Sequence, residues 1–175
     1  LVTYVKTFIA EGFFFTLYIV TQTVKMHMDI SVKIILEKPP ANVDFGIQKG
    51  SGSKYETIQK QKSVGEDLQF AFTITVKIKP EGSADFAGPI VQGNLNGRFI
   101  YIDIGTYAGE SGSLWGRRLK IPLRGITSAM IEKLSADSGI LETKVPGTGK
   151  DGGPNCATVK PFSGWYLSKT VINKK

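Results

Sequence analysis

The chain has 175 residues, 41% of them hydrophobic and 21% charged, the balance of an ordinary globular protein rather than a disordered or fibrous one. Lysine and arginine total 22 against 15 aspartates and glutamates, a net charge of +7 that favours acidic partners, but the basic residues are thinly spread without a recognised motif, so specific nucleic-acid binding is not expected. One cysteine, Cys156, and one histidine, His27, exclude a disulfide framework, a thiolate–imidazole zinc site and a histidine-dependent triad.

Residues 1–25 read differently from the rest. Their uninterrupted apolar run, 13–20, is shorter than the roughly 20 residues that cross a bilayer. No small-x-small cleavage site follows it. Residues 1–27 are therefore expected to be an extension outside the domain, arising from a misplaced start. A signal or membrane anchor, or an extra element docked on the core, is the alternative. A membrane partner is expected only if 1–25 is a real anchor. The lone cysteine suits a reducing compartment, so a cytoplasmic location is expected, or export if the segment is a true signal.

From Met28 onward strand signals dominate. Ile30, Val32, Ile34 and Leu36 alternate onto one face until Pro39-Pro40 ends the run. Residues 43–48 and 55–61 predict two further strands, the second polar enough for an edge. Residues 68–78 alternate most cleanly: Leu68, Phe70, Phe72, Ile74, Val76 and Ile78 on one side, polar residues on the other. A strand over 86–92, a hairpin turn at 93–97 and a dense strand over 98–104 come next. Leu119, Ile121 and Leu123 mark the inward face of another strand. One helix is predicted over 127–137, with Thr127 as N-cap, Met130, Ile131 and Leu134 as its buried stripe, and Gly139 after its end. A last pair of strands, 140–145 and 157–162, flanks the glycine-rich 146–154, and 165–171 suggests a final strand. The expected fold is mainly β, an antiparallel β-sandwich or small barrel with one short α-helix, forming a single domain over 28–175.

The blocks VDFGIQKGSGS, GPIVQGNLNGRFIYIDIGTYAG, WGRRLKIPLRGI and VPGTGKDGGPNCATVKPF resemble a family of small bacterial proteins of unknown function, over about residues 28–166. The resemblance implies a compact domain and assigns no catalytic residue.

The chemistry-bearing residues gather in 86–123. Asp103 lies between Ile102 and Ile104, and a buried carboxylate must be paired or protonated. Arg98, Arg117 and Arg118 are its available partners, since an arginine fork suits a carboxylate. Two outcomes are open: a ligand site in which Asp103 and an arginine stand with Tyr101, Tyr107 and Trp115, or a structural salt bridge pinning adjacent strands. The loop 105–113 is rich in amide and hydroxyl donors and could wrap an anion, but no Gly-Lys-Ser/Thr closes it, nor does a helix follow 146–150. Cys156 reads as a small buried hydrophobe. Glu110 with Asp103 or Asp151 is a remote carboxylate pair. Trp165 and Tyr166 read as core closure. The expected function is a non-enzymatic binding module for a small polar or anionic ligand or a macromolecular partner, with Asp103, Tyr107, Trp115, Arg117 and Arg118 as its site and no cofactor or metal. The alternatives are a hydrolase using carboxylate and arginine chemistry, and a structural or assembly protein.

Overall fold

The computed structural model describes residues 26–51, 54–79, 84–94, 97–107, 114–137, 139–147, 157–158 and 162–168. The segment 1–25, Glu110, Asp151 and Cys156 lie outside the described residues, as do the side chains of Tyr107 and Trp115.

Strands β1 (Met26–Glu37), β4 (Leu68–Ile78), β5 (Ala84–Ala87), β9 (Ile140–Pro146) and β11 (Tyr166–Ser168) make one sheet, in the order β11-β9-β1-β4-β5. Strands β2 (Asp44–Ser51), β3 (Lys54–Lys62), β7 (Gly97–Tyr107), β8 (Leu114–Pro122) and β10 (Ala157–Thr158) make the other, in the order β10-β8-β7-β2-β3, with β6 (Val91–Asn94) also on β7. The alternating pattern decides which faces meet. Ile30, Val32, Ile34 and Leu36 of β1 and Phe70, Ile74 and Val76 of β4 join Phe45, Ile47, Ile100, Ile102, Leu119 and Ile121 of the second sheet in one buried cluster. The expectation of a mainly β fold holds, as two packed sheets and not a closed barrel. Two pairings depart from antiparallel: β1 with β9, and β10 with β8.

β5 pairs with 75–78 of β4, and among the described residues no strand pairs with that edge of β4 further along. Side chains of the second sheet bond its carbonyls there. Gln59 Nε2 donates to Ala71 O at 2.9 Å, and Gln61 Nε2 to Gln69 O at 2.7 Å. The polar strand predicted at 55–61 is thus an edge strand whose glutamines join one sheet to the other, satisfying groups that would be costly to leave bare.

Helix α1 (Ser128–Asp137) carries the chain from β8 in one sheet to β9 in the other. Thr127 caps it, Oγ1 accepting the Met130 N–H at 3.2 Å. Ile131 and Leu134 bury into the core. Trp165 closes the same region, its Nε1 donating to Pro122 O at 3.0 Å and its ring edge-on to Phe162.

Two sequence expectations are corrected. Residues 86–92 are not one strand: Gly88 takes φ +106° and Pro89 follows, so the chain turns and passes from β5 in the first sheet to β6 in the second. Strands 140–145 and 157–162 are not partners. β9 lies parallel to β1, and the described residues of β10, 157–158, lie parallel to β8, while 159–161 lie outside the described residues.

Candidate functional site

The β7–β8 pairing places Asp103 directly opposite Arg118. Ile100 and Ile102 point into the core, so Tyr101 and Asp103 stand on the face turned away from it. Asp103 is nevertheless only 2% exposed. Three strands enclose it. Its carboxylate accepts hydrogen bonds from Arg118 Nε at 2.8 Å, from Thr57 Oγ1 at 2.8 Å and from Gln48 Nε2 at 3.3 and 3.5 Å. A buried carboxylate this fully bonded to a cation and neutral donors escapes most of its desolvation cost.

Thr57 sits on β3, separated from β7 by β2, and the residue between them makes the contact possible. Gly46 pairs with Asp103. A Cβ built there would lie 2.4 Å from Thr57 Cγ2, so glycine leaves the space through which threonine reaches the carboxylate. Thr57 Oγ1 also accepts the Leu114 N–H at 2.9 Å, tying the start of β8 to the edge strand. Gln48 Oε1 is buried with no hydrogen-bond partner among the described residues.

Beside this network the rings of Phe99 and Tyr101 stack with centroids 6.4 Å apart and planes at 20°. The Arg118 guanidinium lies 5.2 Å over Tyr101, and Lys120 Nζ 3.6 Å over Phe99. Each cation–ring contact is worth on the order of 0.5–1 kcal/mol at exposed sites. Arg118 is therefore held twice, by its Nε–carboxylate bond and by a ring under its plane, while its side chain stays 35% exposed.

Of the residues expected at the site, the fold joins Asp103, Arg118 and Tyr101. Arg117 is exposed and stands opposite Ile104, so strand alternation turns it to the other face from Arg118. Trp115 pairs with Thr106 and Tyr107 with Leu114, at the far end of the hairpin. Arg98, a possible partner of Asp103, binds Asp85 Oδ1 at 3.3 Å and Gly93 O at 2.6 Å instead. Gln48, Thr57, Phe99 and Lys120 were not foreseen. Gln48 and Thr57 come from strands far away in sequence, and nothing local marks them. Phe99 and Lys120 did carry a usable signal, alternation with Tyr101 and Arg118 on a shared strand pair.

A second polar cluster lies on the outer face of the other sheet. Glu142 is buried and pairs with Lys33, accepts the Tyr166 hydroxyl at 2.5 Å and accepts Ser168 Oγ at 3.2 Å. Burial pushes its pKa up, but the bonds from Lys33 and Tyr166 outweigh that and hold the carboxyl below its ordinary range. Burial and the neighbouring carboxylate both raise the Tyr166 phenol. These residues fasten β1 and β11 onto β9.

An open cleft of about 580 Å³ lies elsewhere, between the β2–β3 hairpin and the turn from β5 to β6, lined by residues including Gly50, Tyr55, Pro89, Gln92 and Gly93. Among the described residues no three His, Cys, Asp or Glu side chains could together hold a metal ion, and no helix is long and apolar enough to cross a membrane.

No curated protein and no solved structure matches the chain. Residues 30–168, nearly the span marked out by the sequence blocks, match a family of unknown function, DUF5990, and the chain belongs to that family.

Proposed function

We propose that residues 28–175 act as one non-enzymatic binding module for a small polar or anionic ligand or a macromolecular partner. The observation that carries this reading is the anchored guanidinium of Arg118. Its hydrogen bond to Asp103 uses Nε, and a guanidinium has four further N–H donors on its terminal nitrogens. Holding the plane still before the ligand arrives lowers the ordering cost of binding. Asp103 is the orienting acid of the proposed grip; Tyr107 and Trp115 lie toward the far end of the same hairpin, and Arg117, turned to the other face, adds a cation outside it. The buried carboxylates Asp103 and Glu142 are both engaged in ion pairs, which favours binding over acid–base chemistry.

The test is a binding screen of anionic and polar metabolites and oligosaccharides against the wild type, Arg117→Ala and Arg118→Lys. Arg117 is exposed, and Arg118→Lys keeps a cation beside Asp103, so both variants should fold. Weakened binding of a hit by Arg118→Lys, with Arg117→Ala as the control on the opposite face, supports the reading. An Arg118→Lys profile identical to wild type overturns it.

A further inference from the structure

We infer that the outer face of the β7–β8 strand pair is a docking surface for single-stranded nucleic acid, an inference that rests on the binding reading above and names its ligand class. Phe99 and Tyr101 project from alternate positions of β7, and Lys120 and Arg118 project beside them from β8. Each ring is thus coupled to a cation one strand away. These four side chains are half-buried, with their outer edges open, and the combination matches a single strand, which offers flat bases and phosphates together. Bases stack on aromatic rings and on arginine planes, whereas the phosphates seek cations. Arg118 already lies over Tyr101, so a base laid on the guanidinium extends an existing stack. Lys120, on a flexible stem, can swing from the Phe99 ring to a phosphate. A duplex keeps its base faces hidden inside its own stack and has no use for the rings.

Charge favours the same occupant. The acid within this face, Asp103, is buried and already neutralised by Arg118. The surface continues past Phe99, because a Cβ on Gly93 would come within 3.0 Å of that ring and Gly93 lines the 580 Å³ cleft. A smaller hollow of about 230 Å³ adjoins the cleft, sharing Gly50, Tyr55 and Pro89 with it, and is lined by Lys49, Lys54 and Glu56.

The experiment uses the full chain and a fluorescently labelled oligothymidylate, read by anisotropy over a range of salt concentrations. The expected result is tighter binding of the single strand than of a duplex of equal length or of polyglutamate. Tyr101→Ala weakens it about tenfold and Tyr101→Phe does not, the scale of losing one stacked base. Lys120→Gln lowers the slope of log affinity against log salt by about 0.7, one phosphate contact fewer. Circular dichroism checks that each variant is folded, and Lys120→Gln serves if Tyr101→Ala is not. The inference is overturned by an undetectable single-strand complex, by equal affinity for duplex or polyglutamate, or by variants that leave affinity and salt slope unchanged. If a small anion binds in the metabolite screen while the oligonucleotide does not, this inference fails and the binding module survives. If neither binds, both fail.

Discussion

Gly46 is the position where one added methyl group tests the whole reading of the Asp103 network. Gly46→Ala would place a Cβ 2.4 Å from Thr57 Cγ2, 3.0 Å from Ile58 O and 3.3 Å from Lys60 Cγ. The backbone there does not require glycine, so the cost is one of space. Thr57 is the neighbour that can give way, and moving it breaks the 2.8 Å bond to Asp103 and the 2.9 Å bond from Leu114 N–H. Overpacking a filled site costs about 1–3 kcal/mol, and a hydrogen bond to a charged group about 1.5–3 kcal/mol. One displacement causes both losses, so they do not add fully, and we expect about 2–4 kcal/mol. For a domain of this size that is roughly 2–4 °C of Tm for each kcal/mol. The diagnostic variant is the double mutant. Thr57→Ser removes the clashing methyl and keeps the hydroxyl that Asp103 and Leu114 need; alone it costs about 1 kcal/mol for the lost buried methyl. Combined with Gly46→Ala it should recover at least half of the stability that the alanine removed, with Ile58 O as the remaining obstacle. Urea denaturation of wild type, both single variants and the double variant closes the cycle. A neutral Gly46→Ala, or a double variant no more stable than Gly46→Ala alone, refutes the geometry.

Asp103→Asn keeps the shape of the side chain and removes the charge that pairs with Arg118. Because Arg118 is a third exposed, solvent screens part of the loss, and thermal melts should show about 1–3 kcal/mol of destabilisation; an unchanged melt would mean the carboxylate charge has no part in fastening β7 to β8. Glu142 and Asp85 both have folded-state pKa values below their ordinary ones, Glu142 through Lys33 and Tyr166 outweighing burial and Asp85 through Arg98 outweighing it. A depressed carboxyl pKa contributes stability that is complete above the unfolded value, about 4, and is lost as pH falls through the folded value. The protein should therefore lose stability below about pH 4.5, and Glu142→Gln should flatten that decline when stability is measured against pH; an acid limb identical to wild type would contradict the role given to the Lys33–Glu142 pair. At the alkaline end Tyr166, whose pKa is raised, stabilises the fold up to the ordinary phenol value of about 10 and loses that contribution above it. Spectrophotometric titration should show a phenol ionising above the ordinary range, and Tyr166→Phe should remove it; loss of no late-titrating phenol would count against the bond to Glu142.

Local pattern carried the secondary structure because strand alternation and helix capping act over a few residues. The inward and outward faces of β1 and β4, the helix with its Thr127 cap, and the antiparallel pairing of β6 with β7 on either side of 95–96 were all legible in the sequence. So was the pairing of Asp103 with a nearby arginine, since a carboxylate between isoleucines needs a cation. Which arginine it would be was not legible. Arg98, Arg117 and Arg118 are equivalent as letters, and only the register of β7 against β8 puts Arg118 opposite the acid and turns Arg117 away. Thr57 and Gln48 reach Asp103 from 46 and 55 residues away along the chain, Thr57 through a gap that exists because Gly46 lacks a side chain. The split of 86–92 between two sheets, and the parallel placing of β9 and β10, likewise depend on where distant strands leave an open edge. Residue type and spacing determine what each segment can become; tertiary packing alone decides which distant partner removes a buried charge or an unpaired backbone group from water.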